Sequence, residues 1–158
     1  MSRPKKQRGQ SMVEFALILP VITMVVLGLF DLGRAVFTYN TLAQAARQAN
    51  RTAIVDQDTD RVKAMAIAAA PTIGLGSSDV TVCFKTATTT ETGCASPSTN
   101  NCPLSTRVIG CLAIVTASKS YAPMTPFIGI FLPTISLSST SIGPIDYVCP
   151  SEGKTTCP

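Results

Sequence analysis

The sequence predicts an α+β protein, with a long apolar helix at its N-terminus followed by a small antiparallel β-sheet domain braced by disulfides. An uncharged run of sixteen residues, Phe15–Phe30 (FALILPVITMVVLGLF), begins close to the N-terminus. Segments rich in Val, Ile, Thr and Ser occur in the second half, where such composition is typical of strands. The same half contains all six cysteines of the 158-residue chain.

The first nine residues form a basic leader. Arg3, Lys5, Lys6 and Arg8 account for the whole formal net charge of +4, and nine basic residues balance nine acidic ones in the rest of the chain. A neutral body lacks the positive charge that neutralises nucleic-acid phosphates, so we expect no nucleic-acid partner. By the positive-inside rule, the leader (1–9) lies in the cytoplasm.

The apolar run belongs to a longer helix. Its sixteen residues cover ~24 Å at ~1.5 Å per residue, slightly less than a ~30 Å hydrocarbon core. A transmembrane segment over about 12–37 is long enough, and it includes Glu14, Asp31 and Arg34. Because Asp31 and Arg34 are three residues apart, we expect them to form an ion pair on one helix face. The sequence thus predicts a single pass through a lipid bilayer, with the C-terminus outside.

Helical composition continues beyond the apolar run, so residues 10–55 are expected to form one helix. An Ala-rich stripe in its second half predicts a face that packs on the same domain. The stripe consists of Val36, Tyr39, Ala43, Ala46, Asn50 and Ala53.

The remainder, 56–158, is expected to form an external α+β domain. A second helix is predicted over Asp60–Ala70, before Pro71. Strands are predicted at Asp79–Lys85, within Thr106–Tyr121 and within Thr134–Ile142. The apolar segment Met124–Leu132 has nine residues, fewer than the ~17 that a membrane-spanning helix needs. We expect it to be a buried connection, and an exposed patch for a partner is the alternative.

The cysteines are expected to form disulfides, because they lie on the predicted outer side of the membrane. Since the chain has no CxxC motif and no His, we expect no metal site and no redox motif. Six cysteines allow fifteen pairings, so the sequence leaves the connectivity open. The best guess pairs neighbours in sequence or on adjacent strands: Cys83 with Cys111, Cys94 with Cys102, and Cys149 with Cys157.

No catalytic constellation occurs in the sequence. The absence of His excludes Ser-His-Asp and Cys-His systems. Residues 151–154 fit an SxxK pattern, but they lie in a tail between two cysteines and not at the start of a buried helix. We therefore expect no enzymatic activity, no catalytic residue and no cofactor.

Two simpler interpretations of the N-terminal segment remain open. A secretory signal peptide cleaved near Gly33-Arg34-Ala35 would give a mature N-terminus near Val36. The apolar run exceeds the usual ~7 to 15 residues, and Asp31 and Arg34 would bring charge into the cleavage region. An unprocessed single-pass anchor is the second alternative.

The border between leader and helix resembles a known processing site. Residues 8–15, RGQSMVEF, are similar to the class III leader site of type IV pilin-like proteins, in which a prepilin peptidase cuts after Gly. The resemblance implies cleavage between Gly9 and Gln10. The fifth residue of the mature chain is then Glu14, followed by Phe15, and the resemblance implies that both contribute to subunit assembly.

Residues 13–55 further resemble TadE-like pseudopilins of the tight-adherence (Flp) pilus system. The matching features are Glu14-Phe15-Ala16, Leu19-Pro20, Asp31 with Gly33-Arg34-Ala35, and Ala45-Ala46-Arg47. With the leader site, the resemblance covers about residues 8–55, roughly a third of the chain.

This resemblance implies a pilin-like fold and a structural role as a minor pilin or pseudopilin. It implies three partners, namely a prepilin peptidase, other pilin or pseudopilin subunits including copies of the same chain, and the lipid bilayer. The expected location is the cytoplasmic membrane, or an extracellular pilus after assembly. A major filament-forming pilin is one alternative, and a signal-anchored or secreted adhesin module is another.

A physical reason supports the role of the glutamate. An acidic side chain at the centre of an apolar span costs ~2.5 to 3.5 kcal/mol on insertion scales, so Glu14 needs a nearby cation. Cutting after Gly9 creates one, because the new α-amino group of Gln10 is positive near neutral pH. In pilin-like assemblies this glutamate pairs with the amine of a neighbouring subunit, and the resemblance implies the same for Glu14. The residues alone leave open the alternative that Glu14 simply lies in the headgroup region.

Overall fold

The computed structural model describes residues 9–86, 94, 102, 111–125 and 134–145. Two α-helices, two short 3-10 helices and three strands occur in these ranges, as a long N-terminal helix followed by a small antiparallel sheet, which confirms the predicted fold class. The elements are α1 (Gln10–Ala53), α2 (Thr59–Ala69), the 3-10 helices Pro71–Ile73 and Ser77–Asp79, β1 (Val80–Thr86), β2 (Cys111–Tyr121) and β3 (Ile135–Pro144).

The first helix is continuous over 44 residues, a length of ~66 Å at ~1.5 Å per residue. Pro20 lies inside it without ending it. The helix ends where the amide of Ile54 donates to the carbonyl of Asn50, 3.0 Å away. The observed helix covers Gln10–Ala53, whereas the sequence predicts one helix over residues 10–55.

The second helix forms as its capping residues predict. The Asp58 carboxylate accepts a hydrogen bond from the amide of Asp60 (3.0 Å), and Pro71 stops the helix because it lacks an amide hydrogen. Val62 and Ala66 are fully buried and belong to the same hydrophobic core as the second half of α1. Small side chains at this contact allow the two helices to approach closely.

The three strands form an antiparallel sheet in the order β1-β2-β3. Strand alternation places one face of the sheet on the helices, and the central part of that face is apolar. The sheet's core residues on this side are Val80, Val82, Phe84, Ala113, Val115 and Ala117. The alternation predicted for β1, with Val80, Val82 and Phe84 on one side, is the observed one.

The edge strand β3 runs along α1 in the same direction. Its first residue pairs with Tyr121, which contacts Asp31, and its ninth, Gly143, lies against Asn50. The helix rises ~28 Å over the nineteen residues from Asp31 to Asn50, and the strand rises ~26 Å over the eight residues from Ile135 to Gly143. The helix and the strand therefore cover nearly the same distance. We call the second half of α1 (31–53), α2 and the sheet the globular domain.

The disulfides differ from the predicted pairs. Cys83 is joined to Cys94 and Cys102 to Cys111, with Cα–Cα distances of 5.9 and 6.5 Å. The sheet register explains why Cys83 and Cys111 do not pair. Cys111 lies opposite Thr86 and Cys83 opposite Ile114, so the two cysteines are ~10 Å apart along the strands and on opposite faces. The predicted pairing of Cys94 with Cys102 is thereby also wrong, and Cys149 and Cys157 lie outside the described residues.

The buried face of α1 also differs from the predicted stripe. Val36 and Tyr39 are 51% and 47% exposed, because the face that meets the sheet is rotated away from them. Ala46, Asn50 and Ala53 of the predicted stripe are buried. The buried face consists of Asp31, Thr38, Leu42, Ala45, Ala46, Ala49, Asn50 and Ala53.

Candidate functional site

The first half of α1 projects from the globular domain with its apolar side chains uncovered. In the free segment, which we define as Gln10–Phe30, every residue except Gly28 is exposed. Its 21 residues rise ~32 Å, close to the ~30 Å thickness of a hydrocarbon core. Among the described residues, α1 is the one helix long and apolar enough to cross a membrane, and no residue of its most apolar window is buried in protein. This part of α1 is therefore not covered by the rest of the described structure.

The residues assigned to cleavage and assembly lie at the tip of this segment. Gly9 directly precedes α1 and Gln10 is its first residue, so the proposed scissile bond lies at the helix start. Glu14 is one turn further and exposed, and in the part of the chain that the structure describes it has no ion-pair partner. Phe15 beside it is 64% exposed. The structure thus brings these four residues together at one end of the molecule.

The free segment ends at Phe30, and the next residue, Asp31, is hydrogen-bonded to β2 and to the loop after it. This residue is 8% exposed, and its carboxylate accepts hydrogen bonds from the amides of Met124 (3.2 Å) and Thr125 (3.1 Å). The Thr125 hydroxyl donates a further hydrogen bond to the same carboxylate. The Tyr121 hydroxyl donates to the Asp31 main-chain carbonyl at 2.8 Å. We call these four residues the Asp31 junction.

Arg34 forms a contact other than the predicted ion pair with Asp31. Its guanidinium lies 5.6 Å from the centre of the Tyr121 ring, a cation–π arrangement. The Asp31 carboxylate is directed to the loop after β2, where three donors bind it. Within the described ranges Asp31 and Arg34 form no ion pair. Asp31 binds the loop after β2, and Arg34 contacts the Tyr121 ring.

A second polar contact holds the other end of the α1–sheet interface. Asn50 is 7% exposed, and with its amide oriented to satisfy both groups it bridges two strands. Its side-chain nitrogen donates to the Ala113 carbonyl (3.0 Å) and its oxygen accepts from the Gly143 amide (3.1 Å). Asp31 and Asn50 therefore fix α1 on the sheet at both ends, with an apolar interface between them.

An ion pair fastens the turn before β1 to the sheet. The Lys119 ammonium donates to the Asp79 carboxylate (2.8 Å) and to the Gly74 carbonyl (2.7 Å), and Gly74 has a positive φ of 59°. The Asp79 carboxylate also accepts from the Gly76 amide at 3.0 Å. Lys119, and after it the Gly76 amide, lower the pKa of the Asp79 carboxyl below its ordinary value. This contact is structural, because both charges are committed to each other.

The described residues form contacts that hold α1 on the sheet and on the loop after β2. They include no group of three or more His, Cys, Asp or Glu side chains that could hold a metal ion. A groove of about 360 Å³ lies beside the junction, but its two cations, Arg34 and Lys119, are engaged by Tyr121 and Asp79. What the arrangement does is hold an exposed apolar helix rigidly on a small domain.

Sequence reasoning missed the partners of Asp31. Tyr121, Met124 and Thr125 follow it by 90, 93 and 94 residues, and no local pattern links positions so far apart. One signal was present, since an acidic residue directly after sixteen uncharged residues needs hydrogen-bond donors from elsewhere in the chain.

Comparison with known proteins connects the helix to a family. No curated protein and no solved structure matches the chain. A protein-family model, in contrast, matches most of α1, including Gly9 at the proposed cleavage position, the free segment and Asp31. At the family level it indicates a pilus-associated pseudopilin, a structural class of protein that interacts with other pilus subunits. Residues 9–51 match the model of the TadE-like protein family, the family to which the sequence motifs point.

Proposed function

We propose that this chain is a minor pilin or pseudopilin of a tight-adherence pilus, made as a precursor and processed by a prepilin peptidase between Gly9 and Gln10. Before assembly the free segment spans the cytoplasmic membrane, with the leader inside and the globular domain outside. During assembly the same segment packs among the helices of neighbouring subunits. No step in this role requires a catalytic residue or a cofactor.

One observation carries the proposal. The free segment is exposed at every residue except Gly28, lies at the very start of the helix and falls within the stretch that matches the TadE-like family. So large an apolar surface is not stable in water and must be covered by lipid or by other helices. In a subunit that moves from a membrane into a filament, this surface is covered first by lipid and then by the helices of other subunits.

The charge pattern of the free segment supports assembly through the helix. Glu14 is its one ionisable side chain, and among the described residues it has no cationic partner. In an apolar environment an unpaired carboxylate is costly, and the α-amino group of Gln10 on a neighbouring subunit supplies the missing charge. Glu14 thereby selects a subunit that has already been processed.

The test is complementation of cells that lack this protein. We expect a Glu14→Ala variant to reach the membrane in wild-type amount but to restore pilus formation poorly, because the intersubunit ion pair is lost. Asp60→Ala, an exposed substitution on α2, is the control and should restore pili fully. Normal piliation with Glu14→Ala would remove this residue from the mechanism.

Two alternatives are separated by other readouts. A major filament-forming pilin would be the most abundant protein of sheared pili, whereas a minor component is present in small amounts. A secreted adhesin module would be released with a mature N-terminus near Val36, and the contacts of Asp31 and Arg34 with the globular domain disfavour a cut that removes them.

A further inference from the structure

We propose that the globular domain has a second membrane contact, a surface at its base that rests in the outer headgroup region of the bilayer beside α1. We define the base as the exposed side chains of Arg34, Met124 and Ile135, which surround the buried Tyr121 and Thr125. The occupant of this surface is phospholipid. The inference rests on the proposed spanning role of the free segment, and it adds to that role a fixed height and orientation of the domain.

The height of the base follows from the length of the free segment. When its ~32 Å cross a ~30 Å hydrocarbon core, the outer boundary of that core lies at Phe30 and Asp31. The Asp31 junction binds the loop after β2 directly to this point of the helix, with no linker between them. Met124 and Thr125 are therefore at the level of the lipid headgroups.

The exposure of the base is unusual for a surface in water. Met124 is 78% exposed although its own amide is bound to Asp31, so its side chain is displayed by an ordered main chain. Ile135, which pairs with Tyr121 at the start of β3, is 42% exposed. Phe30, the last residue of the free segment, is 73% exposed. Exposed apolar side chains at headgroup depth are characteristic of interfacial membrane contact.

The polar groups of the base also suit a bilayer surface. A basic side chain near the end of a span extends toward the headgroups. Arg34, whose guanidinium lies over the buried Tyr121 ring, is exposed at this level. The one carboxylate at the junction, that of Asp31, is 8% exposed and is bound by three donors of the protein itself.

The chain contains no Trp, so single tryptophans can report the environment of chosen positions. Three methionines supply matched sites: Met124 in the base, Met24 in the middle of the free segment and Met65 on α2. Met65 lies beside Gln44 and Gln48, ~20 Å along the helix beyond Asp31. The full chain, with Met124→Trp, Met24→Trp or Met65→Trp, is reconstituted in vesicles of equal parts phosphatidylethanolamine and phosphatidylglycerol.

Quenching identifies the occupant of each site. We expect Met124→Trp to emit at shorter wavelength than Met65→Trp, to lose emission to a quencher attached near the lipid headgroup, and to be shielded from aqueous iodide. Met65→Trp should be quenched by iodide alone, and Met24→Trp by a quencher deep in the acyl chains. This pattern would support both the span and the second contact.

Other patterns overturn one proposal or both. If Met24→Trp is quenched by lipid but Met124→Trp responds to iodide as Met65→Trp does, the free segment spans and the base stays in water, so this inference is wrong while the proposed function stands. Shielding of Met124→Trp from both iodide and lipid quenchers would mean a protein contact and would also refute the inference. Absence of lipid quenching at Met24→Trp would contradict the spanning role itself and the inference with it.

Discussion

At the scale of single residues, Asp31 is the first residue of α1 that the globular domain binds, and it marks the end of the exposed free segment. Its carboxylate is bound by two amides and a hydroxyl, and its carbonyl by the hydroxyl of Tyr121. Tyr121 and Thr125 are buried, so their donors have little access to water. A buried donor that loses its acceptor without gaining water destabilises the fold.

We expect Asp31→Ala to lower the free energy of unfolding of the globular domain by about 1–3 kcal/mol, because it leaves buried donors without an acceptor. The loss is measured by urea titration in detergent micelles, followed by tyrosine fluorescence, since Tyr121 lies at the junction. Asp60→Ala, on the exposed side of α2, is the matched control and should change stability far less. Equal losses for the two variants would mean that the junction does not stabilise the domain.

The Asp79–Lys119 pair gives the domain a predictable response to acid. Because the pKa of Asp79 is lower in the folded state than its ordinary value, the pair stabilises the fold above the unfolded pKa of ~3.9. That contribution is lost as the pH falls through the folded-state pKa. We expect Asp79→Asn to cost about 0.2–1 kcal/mol at neutral pH, as for a partly exposed pair, and the difference from wild type to disappear in strong acid. A difference that grew on acidification would contradict this assignment.

At the scale of elements, the central feature is the close fit of β3 to α1. A Cβ atom added at Gly143 would lie 2.7 Å from the Asn50 carboxamide and 3.1 Å from a methyl group of Ile54. A side chain at this position therefore requires the helix and the strand to separate. Gly143 allows α1 to bond to two strands at once through Asn50.

Gly143→Ala is expected to destabilise the globular domain by about 1–3 kcal/mol, as overpacking of a close contact does. Gly33→Ala is the matched control, because a Cβ there meets no atom within 4 Å. Alanine in place of an exposed helical glycine should be neutral or stabilising, by up to about 1 kcal/mol. The same urea titration compares the two, and a Gly143→Ala variant as stable as Gly33→Ala would show that the helix and strand are not in contact at this point.

The elements could be predicted from the sequence, but most of the contacts between them could not. Periodicity and capping residues located α1, α2 and β1 to within two residues, because these signals are local. The pairing of Cys83 with Cys94 depends on a sheet register that places Ile114 opposite Cys83, and register is set by packing over distant residues. The exposure of Val36 and Tyr39 has the same origin, since spacing identifies an apolar face but not the neighbour that covers it.

At the scale of the whole molecule, the chain divides into two parts with different environments. The free segment has the length and exposure of a membrane span, and the globular domain is attached to its C-terminal end by the Asp31 junction. Because the domain is bonded to the helix directly, forces on one part are transmitted to the other without an intervening linker. A subunit that is withdrawn from a membrane into a filament needs this rigidity.

The most direct test of the account is the N-terminus of the mature protein, determined by sequencing protein purified from cells that contain a prepilin peptidase. We predict that it begins at Gln10, and that Gly9→Ala yields the unprocessed precursor, because the peptidase reads the residue before the cut. A mature chain that begins at Met1 or Ser2 in such cells would contradict processing as a pilin, and one that begins near Val36 would identify the helix as a signal peptide.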